Sequence, residues 1–114
     1  MAMDNEEIKR RRLAELSVTL ERRPGLPNDN DMRLILNNDG PALASDITFD
    51  AEALEQEQHV SLSGSDLPIP SMAPGGDVRF LLTPTDKTPF SFSFTIQWTD
   101  ESGKRERRAT VNRI

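Results

Sequence analysis

The chain has 114 residues, a length that fits one domain of the commonest size, and 35% of them are hydrophobic and 29% charged. It contains no Cys and one His, which excludes disulfides, cysteine zinc sites, thiol nucleophiles and paired-histidine chemistry. No apolar run approaches ~18 residues and the first residues lack the apolar core of a secretory signal, so we expect no transmembrane segment and a cytoplasmic chain, or part of a membrane-anchored or surface protein if this is a fragment.

The net charge of −5 is unevenly distributed along the chain. Residues 28–77 carry ten acids and one base, whereas residues 9–23 and 104–113 carry six and five bases with few acids. This asymmetry bears on partners and association, not on the fold. Because the whole chain is negative, it would be repelled by a phosphate backbone at long range, and we expect no nucleic-acid partner.

The first elements follow from a change of periodicity. A cap at Asp4 and a Glu three residues later predict a short N-terminal helix or linker within residues 1–12. Apolar residues then alternate from Ala14 onward, which predicts a strand over 14–22 and the start of a domain that extends over 13–114. Further strands are predicted over 32–37 and 44–50, separated by a turn over residues 38–41.

The middle of the chain is less regular. Residues 51–59 have the composition of a helix but could also form an edge strand, and residues 59–63 are expected to be extended, which leaves the structure of 51–63 open. Residues 67–70 contain two prolines that cannot donate to a ladder, so they suit a sheet edge or a connection between sheets. A strand follows over 78–83.

The strongest pattern is a row of large apolar residues at every second position in the strand predicted over 90–99. The row comprises Phe90, Phe92, Phe94, Ile96 and Trp98. Alternation with Ser and Thr favours a core strand over an exposed aromatic platform, although Trp98 lies at the hairpin end, where the core tapers. We expect the other core residues to be Leu16, Val18, Leu34, Leu36, Ile47, Phe80 and Leu82.

The register of the last hairpin follows from core matching. In the final strand, predicted over 104–112, Ala109 and Val111 suit the core and should share a face with Phe94. That matching allows a two-residue loop, with Asp100 opposite Gly103, or a four-residue loop. Either register places Trp98 opposite an arginine.

These strands predict an all-β fold, an Ig-like antiparallel β-sandwich of about seven strands with a short N-terminal helix. Three segments, residues 33–44, 74–80 and 94–100, resemble the turns and strands of bacterial Ig-like modules of the CARDB-like and fibronectin type III-like families. The resemblance implies an adhesion, spacer or interaction module, usually within a larger protein, and it brings no catalytic residues with it.

Few residues suggest chemistry. His59 lies in an acidic stretch but lacks enough convergent ligands for a metal, and the acidic cluster at residues 28–31 lacks the Gly and Glu of a calcium loop. No nucleophile elbow, phosphate loop or distinctive carboxylate pair occurs. We therefore predict no catalytic, cofactor-binding or metal site, no cofactor and no enzymatic activity.

One surface feature suggests a binding role. If the first and last strands run in parallel next to each other, the basic residues before the first strand meet those of the last strand beside Trp98. The resulting candidate interaction patch comprises Lys9, Arg10, Arg11, Arg12, Trp98, Arg105, Arg107 and Arg108. Trp98 could then carry a stacked arginine.

The sequence thus predicts a non-enzymatic Ig-like module for protein–protein interaction or spacing, whose partner is another protein or a second copy that pairs through edge strands. The alternative is a carbohydrate- or cell-surface-binding module of the same fold, for which only Trp98 offers an aromatic contact. A metal-dependent or enzymatic domain comes third. Oligomeric state and biological process do not follow from the sequence.

Overall fold

The computed structural model describes residues 13–22, 31–64 and 66–112, which form two four-stranded antiparallel sheets. The elements in chain order are β1 (Leu16–Glu21), β2 (Met32–Asn38), β3 (Ala44–Phe49), α1 (Ala51–Gln58), β4 (Val60–Ser63), β5 (Ile69–Met72), β6 (Asp77–Pro84), β7 (Ser91–Asp100) and β8 (Gly103–Asn112). Sheet I has the order β1-β2-β6-β4, and sheet II has the order β5-β3-β7-β8. The predicted all-β sandwich is confirmed.

The strand count differs from the expected seven because both irregular segments form edge strands. Residues 51–63, for which the sequence allows a helix or an edge strand, first form α1. The Asp50 carboxylate caps the first turn of α1 by accepting a hydrogen bond from the Ala53 N–H at 2.9 Å. His59 then adopts a left-handed conformation that ends the helix, and β4 joins the edge of sheet I. The proline-containing β5 lies at the edge of sheet II. The predicted N-terminal helix lies outside the described residues.

The core lies between the two sheets, as the alternation predicts. Phe92, Phe94 and Ile96 of β7 are buried, and Phe49 packs against both Phe80 and Phe94 with ring centroids 5.5 and 5.2 Å apart. The other expected core residues are also buried, except Val18, which is half-buried because it lies on the edge strand β1. The two-residue hairpin register is confirmed: Asp100 pairs with Gly103, Phe94 with Ala109 and Trp98 with Arg105.

The aromatic row is shorter than predicted at one end. Phe90 is 71% exposed, and its assignment to the core is wrong. The ladder between β7 and β8 begins at Ser91 opposite Asn112, so Phe90 precedes the strand and no neighbouring strand determines which way it faces. At the other end of the row, Trp98 is only 2% exposed.

Candidate functional site

Strand alternation divides the basic residues of β8 into two groups. Arg105 and Arg107 pair with Trp98 and Ile96, so they lie on the core side of sheet II at its edge. Arg108 pairs with Thr95 and lies on the outward side, as do Lys104 and Glu106. The two groups have different surroundings, and these decide their roles.

The first group joins the two sheets. The Arg105 guanidinium donates to the Ala14 carbonyl at 2.7 Å, and that of Arg107 donates to the Leu16 carbonyl at 3.1 Å. Asp100 accepts from the Ala14 N–H at 2.9 Å and from Arg105 at 3.2 Å. We call this arrangement the clasp. Since residue numbers rise together on both sides, the start of β1 and β8 run in the same direction.

Asp100 is the charged centre of the clasp, and its side chain is fully buried. Burial opposes ionisation, but hydrogen bonds from the Ser102 hydroxyl, the Ala14 and Ser102 N–H groups and Arg105 outweigh it and hold the pKa of Asp100 below its usual value. The sequence identified Asp100 only as a turn residue. Its partner Ala14 is 86 residues away in the chain, so no local pattern could reveal the bond.

Asn38 supports the same end of the molecule from sheet I. Its side chain is completely buried, and its oxygen accepts from the N–H groups of Glu15 and Gly40 at 3.3 and 3.1 Å. Its nitrogen donates to the carbonyls of Ala42 and Met72 at 2.8 and 3.0 Å. All four hydrogen-bonding positions of the amide are therefore used. The sequence predicted a turn here but not this anchor.

Gly40, which has no Cβ atom, allows the segment before β1 to pack closely against the β2–β3 turn. A Cβ atom at this position would lie 2.5 Å from the Glu15 nitrogen and 2.6 Å from the Leu13 oxygen, both backbone atoms that cannot move aside cheaply. The segment that leads into β1 is thus held against the β2–β3 turn on one side and against the β7–β8 hairpin on the other.

Of the predicted interaction patch, the structure describes Trp98, Arg105, Arg107 and Arg108, and it places them on two sides of sheet II. Lys9, Arg10, Arg11 and Arg12 lie outside the described residues. Trp98 is buried, and the Arg105 guanidinium carbon lies 5.3 Å from its ring centroid, so the ring carries a stacked arginine although it is not exposed. Arg105 and Arg107 belong to the clasp. Arg108 is exposed on the other side of sheet II.

The other candidates from the sequence are also placed. The His59 side chain is exposed, while its carbonyl accepts from the hydroxyls of Thr85 and Thr88. Of the acidic cluster at 28–31, only Asp31 falls within the described residues, and it is buried. The described part of the chain contains no group of three or more potential metal-ligating His, Cys, Asp or Glu side chains.

The outward side of sheet II, which we call the sheet II face, carries two adjoining grooves. The first, of about 490 Å³, lies between α1 and β7 and is lined by Asp50, Glu57, Thr95 and Arg108 among others. The second, of about 640 Å³, lies towards the β7–β8 hairpin. Its lining includes Asp46, Thr99, Lys104 and Glu106. Thr48 and Gln97 line both grooves, so the two form one continuous surface.

Asp46 owes its place in the second groove to an irregularity in β3. The pairing of β3 with β7 shifts between Ser45 and Thr48, and Asp46 within this bulge has a φ of 49°. Aspartate tolerates the left-handed region better than most residues, and bulges redirect side chains. The bulge therefore places an exposed carboxylate at the rim of the sheet II face.

Within the described residues, the side chains of Asp46, Glu57, Lys104, Glu106 and Arg108 make no hydrogen bond or ion pair. This contrasts with Arg105, whose guanidinium bonds to a carbonyl and two carboxylates. The sheet II face thus brings several charged groups without internal partners together on one surface. Its chemistry suits recognition of a polar, charged surface.

Comparisons with known proteins add a family but no activity. None of the curated proteins matches the chain. A solved chain in the archaellum periplasmic stator protein complex FlaF and FlaG from Sulfolobus acidocaldarius is similar over 97% of this chain and 98% of its own, at 14% identity and a TM-score of 0.38, a score that identifies neither a shared fold nor a shared function. Among the described residues, no helix is long and apolar enough to cross a membrane.

The family match also covers nearly the whole chain, and it names no activity. It does not confirm the resemblance to CARDB-like or fibronectin type III-like modules, of which the β-sandwich fold alone is confirmed. The family model matches residues 2–112, nearly the whole chain. The chain therefore belongs to the family described as a domain of unknown function (DUF8453).

Proposed function

We propose that this domain is a non-catalytic interaction module that binds a second protein chain, of a different protein or of its own kind, through the sheet II face. One observation carries the proposal: β8 uses the charges on its inner side in the clasp and leaves Lys104, Glu106 and Arg108 on its outer side without internal partners. Desolvated charges without partners would be costly, whereas exposed ones are available for complementary pairing with a partner.

The sheet edges are less suited to binding than this face. An added strand needs a free, flat edge, and natural edges are protected by short length, proline and charge. β4 and β5 have four residues each, and β5 contains Pro70. On the opposite side, the arginines of β8 already bond to carbonyls of the β1 segment. This favours the face over the edge-strand pairing that the sequence suggested.

The alternative functions lack support from particular residues. A carbohydrate-binding module needs several exposed aromatic rings that lie in one plane; Trp98 is buried, and Phe90 is a single exposed ring. An enzyme needs a titratable group aimed into a pocket. Among the described residues, Asp100 is the one group whose pKa is shifted, and its carboxylate is occupied by its hydrogen-bond partners in the clasp.

Site-specific photo-crosslinking in cells that express the protein tests the proposal. A photoreactive residue at Gln97, in the centre of the sheet II face, should form a defined protein adduct, whereas one at Ser63, an exposed position of sheet I, should not. Arg108→Glu should remove the Gln97 adduct. The matched charge change Lys87→Glu, in the β6–β7 turn away from both grooves, should leave it intact. Equal adducts from both positions, or none from Gln97, would contradict the proposal.

A further inference from the structure

We propose that the sheet II face pairs with the same face of a second copy of this chain, in a two-fold symmetric dimer. This inference rests on the proposed function and names its partner. Its basis is a polarity that both grooves share. In each groove the β3 and α1 side carries an acid without an internal partner, Asp46 or Glu57, and the β8 side carries such a base, Lys104 or Arg108. β7 lies between the two sides.

The strand registers show where these charged residues lie along the length of β7. In the second groove, Lys104 pairs with Thr99, which pairs with Ser45, the neighbour of Asp46. In the first groove, Arg108 pairs with Thr95, and the opposite wall carries Glu57 and Asp50 of the α1 region. Asp50 follows Phe49, which pairs with Ile96, so it reaches the position of Thr95 and Arg108 along β7, and Glu57 lines the same groove. Each base therefore has an acidic wall opposite it, on the other side of β7.

A two-fold axis parallel to β7 converts this polarity into complementarity. Rotation about such an axis turns two copies face to face, keeps the position along the strands and exchanges the two sides. Lys104 of one copy then lies over Asp46 of the other, and Arg108 lies over the acidic wall of the first groove, which carries Asp50 and Glu57. Because the interface is isologous, each contact occurs twice. Glu106 pairs with Gln97, which pairs with Thr48. In the dimer Glu106 therefore faces the Thr48 hydroxyl of the second copy and not a like charge.

The same geometry explains why the charges are not paired within one chain. β3 and β8 are two strand spacings apart, ~10 Å, because β7 lies between them. Two sheets that pack face to face are also ~10 Å apart, but long side chains from both sides point into that space and meet. Pairing across the interface is therefore easier than pairing along the face.

The size and polarity of the face indicate a weak dimer. Four strands at ~4.8 Å and the ten residues of β7 at ~3.4 Å give a face of roughly 19 Å by 34 Å. This is slightly smaller than the ~800 Å² per partner of a standard interface. The core of the face consists of Ser, Thr and Gln, so specificity depends on the charge pairs, and association should weaken as salt rises.

Sedimentation velocity over a concentration series tests the dimer by charge exchange. The parent chain should associate reversibly, and more weakly at high salt. Arg108→Glu and Glu57→Arg should each raise the dissociation constant at least about tenfold, because each brings like charges together twice. Lys87→Glu should behave as the parent.

Two further experiments, one on a mixture and one on a double variant, make the test specific. An equimolar mixture of the Arg108→Glu and Glu57→Arg variants should form a heterodimer, since each facing pair is then again opposite in charge. The double variant Arg108→Glu/Glu57→Arg should dimerise with itself. Both results require folded chains and this pairing of residues. If neither the mixture nor the double variant restores association, the dimer is overturned.

The outcomes also separate this inference from the proposed function. A parent chain that stays monomeric at low salt, while a residue at Gln97 crosslinks to a different protein, would overturn the dimer and leave the interaction module standing. A Gln97 adduct with twice the mass of the chain, lost in the Arg108→Glu variant, would support both. Absence of association and of any adduct would overturn both.

Discussion

The clasp and the sheet II face both use side chains of β8, yet the charged groups have internal partners in the clasp and lack them on the face. In the clasp, Asp100 and Arg105 have several internal partners each, and Asn38, beside it, uses all of its hydrogen-bonding positions. On the sheet II face, Lys104 and Arg108 have none within the described residues. The difference shows that a basic run in a sequence cannot be assigned one role, because strand alternation assigns its members to two.

The largest expected effect belongs to Asn38. Asn38→Ala removes a buried amide and leaves two N–H groups and two carbonyls without that partner, so we expect a loss of about 3–5 kcal/mol in the free energy of unfolding. Asn112→Ala, an exposed position on β8, is the matched control and should change stability by less than about 0.5 kcal/mol. Urea denaturation measures both. If Asn38→Ala lowered the free energy of unfolding as little as Asn112→Ala does, the buried amide would not be an anchor.

A smaller loss is expected from Asp100. Asp100→Asn keeps the shape but turns an acceptor into a donor that faces other donors, the Ala14 N–H and the Arg105 guanidinium, and we expect it to cost about 1.5–3 kcal/mol. Asp86→Asn in the exposed β6–β7 turn should cost almost nothing.

The pH dependence of the stability difference between the parent and Asp100→Asn gives a second measurement of the role of Asp100. Because the folded-state pKa of Asp100 is lowered, its contribution is fully present above the unfolded-state pKa and is lost as pH falls through the folded-state pKa. The stability difference between parent and Asp100→Asn should therefore be constant near neutral pH and shrink below about pH 4, the unfolded value. A difference that grows on acidification would contradict this assignment.

Most of the fold could be predicted from the sequence because local periodicity determines it. Alternation located β2, β3 and β8, and the need to match Ala109 with Phe94 gave the hairpin register. The alternation wrongly predicted that Phe90 is buried, because the alternating residue types begin one residue before the first ladder pair, Ser91 with Asn112.

The candidate site could be predicted only in part, for a different physical reason. The sequence located the bases of β8, but their roles depend on contacts that no short pattern contains. Arg105 bonds to Ala14, 91 residues away, and Trp98 is covered at an end where the core was expected to taper. The acids that complete the sheet II face come from a bulge and from α1, the segment that was left open.

The division of β8 by alternation is tested most directly by comparing Arg105→Met with Arg108→Met in one set of denaturation experiments. Both changes keep an unbranched stem and remove one guanidinium. Arg105→Met should lower the free energy of unfolding by about 1–2 kcal/mol, because it strips bonds from the Ala14 carbonyl and the buried Asp100, whereas Arg108→Met should change it by less than about 0.5 kcal/mol. Equal losses, or a larger loss at Arg108, would contradict the account.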